Sequence, residues 1–282
     1  MKGVVFIRIV ADSSCDLNKE LEKKLNLTHV PLTITLGDVH YRDDEHLDVP
    51  AMLDDIDNSE EGPKSTCPSP HDFIEAFKEK GSVFVVTMTA ALSGTYNSAR
   101  VARDLFIQDY EDKFIHIFNS KGSSVRETLI AIKIKELIDA KLSENEIVEK
   151  VNKYIDSQKY FFQFGSIDTM VKNGRIPKLK GMIASVLNIK PILFADENGE
   201  VDVYANIRSD KKSLRMFVDL IGEHCEDFSE RILGISHCEA LEKAEALKAA
   251  VEEKYNFKEI IIVPVRGLSS IYISRGGITV SF

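Results

Sequence analysis

The sequence contains few cysteines and no long apolar run. Its 282 residues include only four Cys, which favours a protein of the reducing cytoplasm over a disulfide-stabilised secreted one. No apolar stretch approaches the roughly 18 residues that a membrane-spanning helix needs. The apolar run near the N-terminus is short and contains Arg8, so it does not predict a signal peptide. We therefore expect a cytoplasmic protein.

Basic residues are outnumbered by acidic ones. Lys and Arg number 36 against 45 Asp and Glu, and the formal net charge is -9. Nucleic acids and anionic membranes attract basic surfaces, so no nucleic-acid partner and at most a transient membrane contact are expected. A small anionic ligand is compatible with this charge, because a local group of donors can bind it. The length suits two domains, each with its own core.

Familiar enzyme motifs are missing as well. No dinucleotide-binding glycine pattern follows the first predicted strand, and "LSGT" lacks the Lys of a phosphate-binding P-loop. Ser93 does not lie in a Gly-x-Ser-x-Gly motif, because residue 91 is Ala and residue 95 is Thr. The sequence therefore predicts a protein that is not an enzyme by itself and that needs no cofactor.

The sequence also predicts no metal site. The pairs His224-Cys225 and His237-Cys238 do not have the spacing of zinc ligands, so these cysteines are expected to be buried thiols. The acidic segment 43–48 is expected to be a solvated loop rather than a cation site.

Apolar runs alternate with amphipathic runs along most of the chain, as in βαβ units around a parallel sheet. One exception is "ADENGEVD", where Asn198-Gly199 predicts the turn of a β-hairpin. We predict an α/β fold with a parallel-sheet domain at residues 1–158 and a mixed α/β domain at residues 159–282. Ser143 followed by Glu146 predicts a capping box at a helix start. The predicted strands are 4–11, 30–36, 83–88, 114–118, 160–164, 190–194, 201–205, 232–236, 259–263 and 277–282, and the predicted helices are 17–25, 50–56, 71–80, 94–108, 124–140, 144–157, 211–223 and 240–255.

Three polar stretches lie at predicted strand ends or helix starts: "ADSSCDL" (11–17), "KSTCPSPHDF" (64–73) and "TAALSGTYNSA" (89–99). Ligands of parallel α/β folds bind at the carboxyl ends of strands, where helix N-termini attract anions. Gly94 allows close approach to the backbone, and the hydroxyls of Ser93 and Thr95 can donate hydrogen bonds. The alternative is that Ser93 is only an N-cap and that the hydroxyls of the second stretch only stabilise turns.

Two arginines in the second half are candidate contacts for an anion or a partner. Arg175 lies in a locally basic segment, "VKNGRIPKLK", and Arg208 follows the predicted strand "VDVYANI". The alternative is that both are solvated surface residues.

Together these segments resemble the DegV family of bacterial fatty-acid-binding proteins over essentially the whole chain. "IRIVADSSCDL" is similar to the family's opening strand and Asp-Ser turn, and "HVPLTITLGDVHYRDD" to its second segment. "STCPSP" is similar to the family's Thr-Ser-Gln-Pro-Ser stretch, and "LSGTYNSA" to its most distinctive motif. "VKNGRI" and "LNIKPIL…DENGEV" follow in the order of the family.

The resemblance implies both a fold and a ligand. The N-terminal domain would be related to the first domain of dihydroxyacetone kinase, and a long-chain fatty acid would lie in an apolar tunnel between the domains. The ligand's carboxylate would be bound in the motif of Ser93, Gly94 and Thr95, and by a hydroxyl of Ser65 or Thr66.

The resemblance also implies a protein partner. Family members present the bound carboxylate to a separate ATP-using fatty acid kinase, which makes the acyl phosphate. Arg175 and Arg208 match positions where the family places arginines near the carboxylate or the kinase.

The C-terminal segment departs from the family. The usual His-x-Gly-Pro-Gly is replaced in "SSIYISRGGITVSF", with Ser274 and Arg275 where Gly and Pro are expected. Tyr272 stands at the His position, and the resemblance implies that it replaces this His as a head-group or partner contact. The loop "NSKGSSVRET" also differs from the Asp-Ser loop and glycine pair that the family has after the fourth strand. Lipid binding is expected to survive these changes, whereas competence with the kinase is placed in question.

Two alternatives to presentation of a fatty acid stay open. One is an enzyme that uses Ser93 or His237 on a small acyl or carbonyl substrate. The other is a regulatory module that binds lipid but meets no kinase.

Overall fold

A computed structural model describes residues 6–110, 113–176 and 190–282 of the chain. Within these ranges the protein is α/β, as predicted, with three sheets. Its strands are β1 (Ile7–Asp12), β2 (Thr28–Val30), β3 (Thr33–Leu36), β4 (Val39–Arg42), β5 (Lys64–Thr66), β6 (Ser82–Thr87), β7 (Ile115–Asn119), β8 (Tyr160–Gln163), β9 (Lys190–Ala195), β10 (Val201–Ile207), β11 (Ile232–His237), β12 (Glu259–Pro264) and β13 (Ile278–Ser281). Its helices are α1 (Lys19–Leu25), α2 (Val49–Asp57), α3 (Pro70–Phe77), α4 (Thr95–Asp109), α5 (Val125–Asp139), α6 (Glu144–Ser157), α7 (Asp168–Lys172), α8 (Asp210–His224), α9 (Leu241–Glu252) and α10 (Gly267–Ile273).

The first sheet is parallel, with the strand order β2-β1-β6-β7. All six residues of β6 are buried, which explains its nearly continuous apolar sequence, because helices cover both faces of a parallel sheet. The predictions for β1, β6 and β7 are confirmed, except that residues 4 and 5 lie outside the described residues.

The predicted strand 30–36 is wrong, because two strands lie there. Pro31 has no N–H to donate to a ladder, and at this point the chain leaves the parallel sheet. β2 pairs with β1, whereas β3 enters a small antiparallel sheet of order β4-β3-β5. The turn between β3 and β4 is Gly37-Asp38, with Gly37 at a φ of 56°. That dipeptide is a hairpin signal from which β4 could have been predicted.

The third sheet has the order β10-β9-β8-β13-β11-β12, and only β11 and β12 are parallel. The hairpin of β9 and β10 confirms the predicted turn, with Gly199 at a φ of 81°. Every strand of this sheet follows residue 158. However, one hydrophobic core contains Phe84 of the parallel sheet, Leu129 of α5 and Leu193 of the third sheet. The strands of the third sheet therefore begin near the expected boundary, but the hydrophobic core is continuous across it. The division into domains 1–158 and 159–282 stays a prediction.

Helix α5 lies between the two large sheets. Ten of its fifteen residues are buried, as in a helix that is covered on all sides. Gly234 of β11 makes the close approach possible, since a Cβ there would lie 2.5 Å from Val125 Cγ2. This packing brings the start of α5 to the carboxyl ends of the parallel strands.

All eight predicted helices are present. At the start of α6, the predicted capping box is confirmed: Glu146 accepts the backbone N–H of Ser143 at 2.9 Å. The short helices α7 and α10 were not predicted, because five and seven residues are too few for a clear helical period.

Candidate ligand-binding site

A cavity of about 260 Å³ lies at the carboxyl ends of β1, β6 and β7. The third sheet and α10 form its opposite wall, so residues from both halves of the chain line it. Its apolar lining includes Leu32, Met88, Leu92, Phe162, Phe164 and Met170. Hydroxyl-bearing residues of the lining include Ser14, Ser65, Thr66, Ser93, Ser123 and Tyr272. The cavity therefore offers an apolar chamber together with hydrogen-bonding groups.

Asp12 joins the ends of β1 and β6 beside the cavity. Its Oδ1 accepts the backbone N–H of Ser14 at 2.9 Å, which forms an Asx turn. Its Oδ2 accepts the backbone N–H of Met88 at 2.8 Å. Since Ser14 and Met88 both line the cavity, this buried carboxyl fixes two parts of its wall.

The Ser93 segment lies in the cavity wall, but its three residues differ in position. Ser93 and Gly94 line the cavity, whereas Thr95 is fully buried behind them. The hydroxyls of Ser93 and Thr95 are 2.9 Å apart. The idea that Ser93 is the N-cap is wrong, since Gly94 is the N-cap of α4 and makes no side-chain cap. Ser93 Oγ does accept the backbone N–H of Thr95, at 3.3 Å.

Tyr272 reaches the cavity from α10 and contacts the "STCPSP" segment. Its Oη lies 2.8 Å from Ser65 Oγ. Asn173 Nδ2 donates to the same Oη at 3.4 Å and to the carbonyl of Pro63 at 2.9 Å. Because the Asn173 amide donates to Tyr272, the phenol can donate to Ser65, and the Ser65 proton is then free for a ligand. Asn173, Tyr272 and Ser65 thus form a chain of donors that ends in the cavity.

Of the other predicted contacts, some line the cavity and one does not. Thr66 lines the cavity with an exposed side chain, and Arg175 lines it from an exposed position after α7. Arg208 is exposed after the end of β10 and does not belong to the lining. Lys178 and Lys180 of the basic segment lie outside the described residues. Of the two arginines, Arg175 alone is placed to meet a ligand in this cavity.

Buried carboxyls lie behind the wall at Ser14. Ser14 Oγ donates to Asp12 Oδ1 at 2.7 Å and is also in hydrogen-bond contact with Glu127 Oε1. Burial, and then the nearby charge of Asp12, raise the pKa of Glu127 well above its ordinary value. Burial also raises the pKa of Asp16 to about 7. The protonated form that burial favours for Glu127 adds no negative charge behind this wall.

The acidic segment 43–48 is not simply a solvated loop. Asp43 is buried, and its two oxygens accept the backbone N–H groups of Gly267 and Leu268 at 3.0 and 2.8 Å. The expectation was wrong at this residue because its partners lie more than 200 positions away along the chain.

Catalytic and metal-binding groups are not brought together in the part of the chain that the structure describes. No histidine lines the cavity there, and the only hydroxyl partner of Ser93 is Thr95. His237 is turned to its own loop, where its Nδ1 accepts the backbone N–H of Ala240 at 3.3 Å. In the described ranges no three His, Cys, Asp or Glu residues are grouped as metal ligands. Cys225 and Cys238 are buried free thiols, as predicted.

Several lining residues were not predicted as ligand contacts, among them Ser123 and Tyr160. Ser14 belongs to the predicted polar stretch 11–17, and Ser123 follows β7, so the same rule that ligands bind after parallel strands could have found it. Tyr160 belongs to the third sheet, and no local pattern points from that strand to this cavity.

Among the described residues, no helix combines the length and the apolar character needed to cross a bilayer.

Comparison with known proteins gives one consistent result. The family model described as "Uncharacterised protein, DegV family" matches residues 6–282. A DegV domain-containing protein of Streptococcus pneumoniae R6 is 32% identical over 277 residues, which cover 98% of this chain and 98% of that protein.

Solved structures agree in fold along nearly the whole chain. A DegV family protein of Ruminococcus gnavus, refined with vaccenic acid, has a TM-score of 0.94 and 34% identity, over 98% of this chain and 99% of that one. The fatty acid kinase (Fak) B3 protein of Streptococcus pneumoniae, loaded with linoleic acid, has a TM-score of 0.90 and 31% identity, over 98% of both chains.

Proposed function

This chain belongs to the DegV family, and from that premise we propose that it binds one long-chain fatty acid in the described cavity. The observation that carries the proposal is the composition of the lining, in which apolar side chains surround a chamber and the hydroxyls of Ser65 and Ser93 are part of its wall. The acyl chain contacts the apolar residues. The carboxylate accepts hydrogen bonds from Ser93 and from Ser65, whose proton the Asn173–Tyr272 contacts leave free.

The two ends of the ligand contribute differently to affinity. At roughly 0.8 kcal/mol for each buried methylene, a long acyl chain contributes on the order of 10 kcal/mol before the cost of binding is subtracted. A hydrogen bond to a charged group contributes about 1.5–3 kcal/mol. The tail therefore provides most of the affinity, whereas the hydroxyls determine where the carboxylate lies.

The carboxylate is presented to a separate kinase that makes the acyl phosphate. This part of the proposal is supported by the likeness to the Streptococcus pneumoniae protein, which is named for fatty acid kinase. Thr66, Gly94 and Arg175 are exposed lining residues, so a partner can meet the ligand beside them. On this reading the protein supplies no catalytic group of its own and acts in the cytoplasm, where ATP is available to the partner.

Ligand binding is tested by native mass spectrometry of protein purified without denaturant, followed by uptake of oleate or palmitate by delipidated protein. One fatty acid per chain is expected. Leu92→Trp adds bulk to the cavity wall and should reduce uptake, whereas Leu105→Trp changes an exposed position of α4 and should not. Absence of both co-purified and added fatty acid would refute the proposal.

Presentation to a kinase is tested by incubating the loaded protein with its cognate kinase and ATP, and trapping acyl phosphate with hydroxylamine. Arg208→Ala should leave fatty-acid affinity unchanged, since Arg208 does not line the cavity, but should slow phosphorylation. Lipid binding without any trapped product would favour the regulatory module. Hydrolysis of an activated ester, abolished by Ser93→Ala, would favour an enzyme, although Ser93 contacts no base in the described structure.

A further inference from the structure

The backbone N–H groups at the start of helix α10 donate to two buried Asp side chains from the first half of the chain. Asp16 Oδ1 accepts the backbone N–H of Arg266, the N-cap residue, at 2.6 Å. Asp43 accepts the next two backbone N–H groups, those of Gly267 at 3.0 Å and of Leu268 at 2.8 Å. These are N–H groups that a helix cannot pair within itself. The cap of α10 is therefore supplied by residues more than 200 positions away.

The contact between Asp43 and α10 is close and buried. A Cβ at residue 267 would lie 2.7 Å from Asp43 Oδ1 and 2.4 Å from Leu47 Cδ2, so only glycine allows this approach. Both oxygens of Asp43 accept an N–H; burial raises the pKa of this carboxyl, and the two N–H donors act in the opposite direction because they favour the ionised form. Negative charge at a helix N-terminus is also favourable. Asp43 thus fixes the helix start at two points.

Helix α10 carries part of the cavity wall. Leu268, Ser269, Tyr272 and Ile273 all line the cavity, and Tyr272 makes the 2.8 Å contact with Ser65. Seven residues are too few for a helix to be stable by itself in water. The position of Tyr272 therefore depends on the contacts that hold α10, and Asp43 provides two of them.

We propose that Asp43 is a positioning residue for the carboxylate end of the ligand, acting through α10 and Tyr272 on Ser65. This inference rests on the proposed function. Asp43 holds α10 so that Tyr272 donates to Ser65 and the Ser65 proton is directed into the cavity. Without the two hydrogen bonds from Asp43, the Ser65 hydroxyl is less well ordered in the unliganded protein. Binding must then order this hydroxyl, and the entropy lost in doing so lowers the affinity.

A double-mutant cycle tests the inference. The variants are Asp43→Asn, Tyr272→Phe and their combination, and the dissociation constants for oleate and oleyl alcohol are measured. The alcohol has the same tail without the carboxylate. The amide introduced by Asp43→Asn keeps one acceptor oxygen and loses the other, so this variant should weaken oleate about tenfold and change oleyl alcohol less than about twofold. In the Tyr272→Phe background, Asp43→Asn should cause little further loss of oleate affinity.

Controls separate positioning from general destabilisation. Asp44→Asn is the matched control, because Asp44 accepts from the His46 backbone within its own turn and should leave both affinities unchanged. If Asp43→Asn does not fold, Asp43→Glu keeps the charge, displaces it by one methylene and should give the same selective loss. Equal weakening of both ligands, additive effects in the cycle, or failure of both Asp43 variants to fold would overturn the positioning role. A wild-type protein that binds neither ligand would instead refute the proposed function.

Discussion

The buried carboxyl of Asp16 should make the protein less stable as the pH rises. Asp16 accepts the hydroxyl of Ser124 at 2.5 Å and the backbone N–H of Arg266 at 2.6 Å. Burial, the largest influence, raises its pKa from 3.8 to about 7. The perturbation is Asp16→Asn, which removes the ionisable group and keeps the size of the side chain and one acceptor.

The direction in which the free energy of unfolding changes with pH follows from proton binding. Between pH 4 and pH 7 the folded protein retains the Asp16 proton, whereas the unfolded chain has released it. The free energy of unfolding therefore falls as the pH rises through this window. A pKa difference of about 3 corresponds to about 4 kcal/mol, and most of that change lies between pH 4.5 and pH 8.

The assay is urea unfolding of delipidated protein at several pH values from 4.5 to 8. The free energy of unfolding of Asp16→Asn, relative to wild type, should rise by roughly 3 kcal/mol across this range. His29, whose pKa burial lowers to about 4, changes stability in the opposite direction but cancels in the comparison. Asp109→Asn, at an exposed position, serves as the control and should run parallel to wild type. If the profile of Asp16→Asn also runs parallel to that of wild type, Asp16 is not the source of this pH dependence.

Three further changes, with Ser143→Ala as a control, test the site and the packing around it. Ser93→Ala removes one of the proposed hydrogen bonds to the ligand carboxylate and should weaken oleate binding by about 10- to 100-fold in calorimetric titrations. Ser143→Ala, at another helix start, should cost stability and leave that affinity alone. Arg275→Ala removes ion pairs to two carboxylates of α2 and one that follows β11. It should lower the melting temperature at low ionic strength and have less effect in 0.5 M salt, and a salt-independent effect would contradict the ionic role. Gly234→Ala adds a methyl group 2.5 Å from Val125 Cγ2 and should reduce the free energy of unfolding by about 1–3 kcal/mol, whereas an unchanged urea midpoint would show that α5 can move aside.

The elements that the sequence predicted well are those whose signals are local. All eight predicted helices carry an apolar face of helical period or are apolar all round, and the Ser143–Glu146 box involves residues three positions apart. The Asn198-Gly199 turn is equally local. By contrast, α10 has seven residues and takes its cap from Asp16 and Asp43, so nothing near it in the sequence predicts a helix start.

In the candidate site, too, local sequence predicts some features and not others. Its hydroxyls could be predicted as a group, because they follow parallel strands and small residues there leave room for a ligand. Which of them face the cavity could not. Ser93 and Thr95 are two positions apart on one loop, yet the first lines the cavity and the second is buried behind it.

The amino-acid sequence was enough to predict the α/β class, the strand ends at which a ligand can bind, and a family resemblance that points to a fatty acid. The three-dimensional structure was needed to show that Tyr272 contacts Ser65, that Arg175 and not Arg208 lines the cavity, and that Asp43 is buried. The physical reason is the range of the interactions. Helical period, caps and turns depend on residues a few positions apart, whereas burial and hydrogen bonding of a single side chain depend on the packing of distant segments.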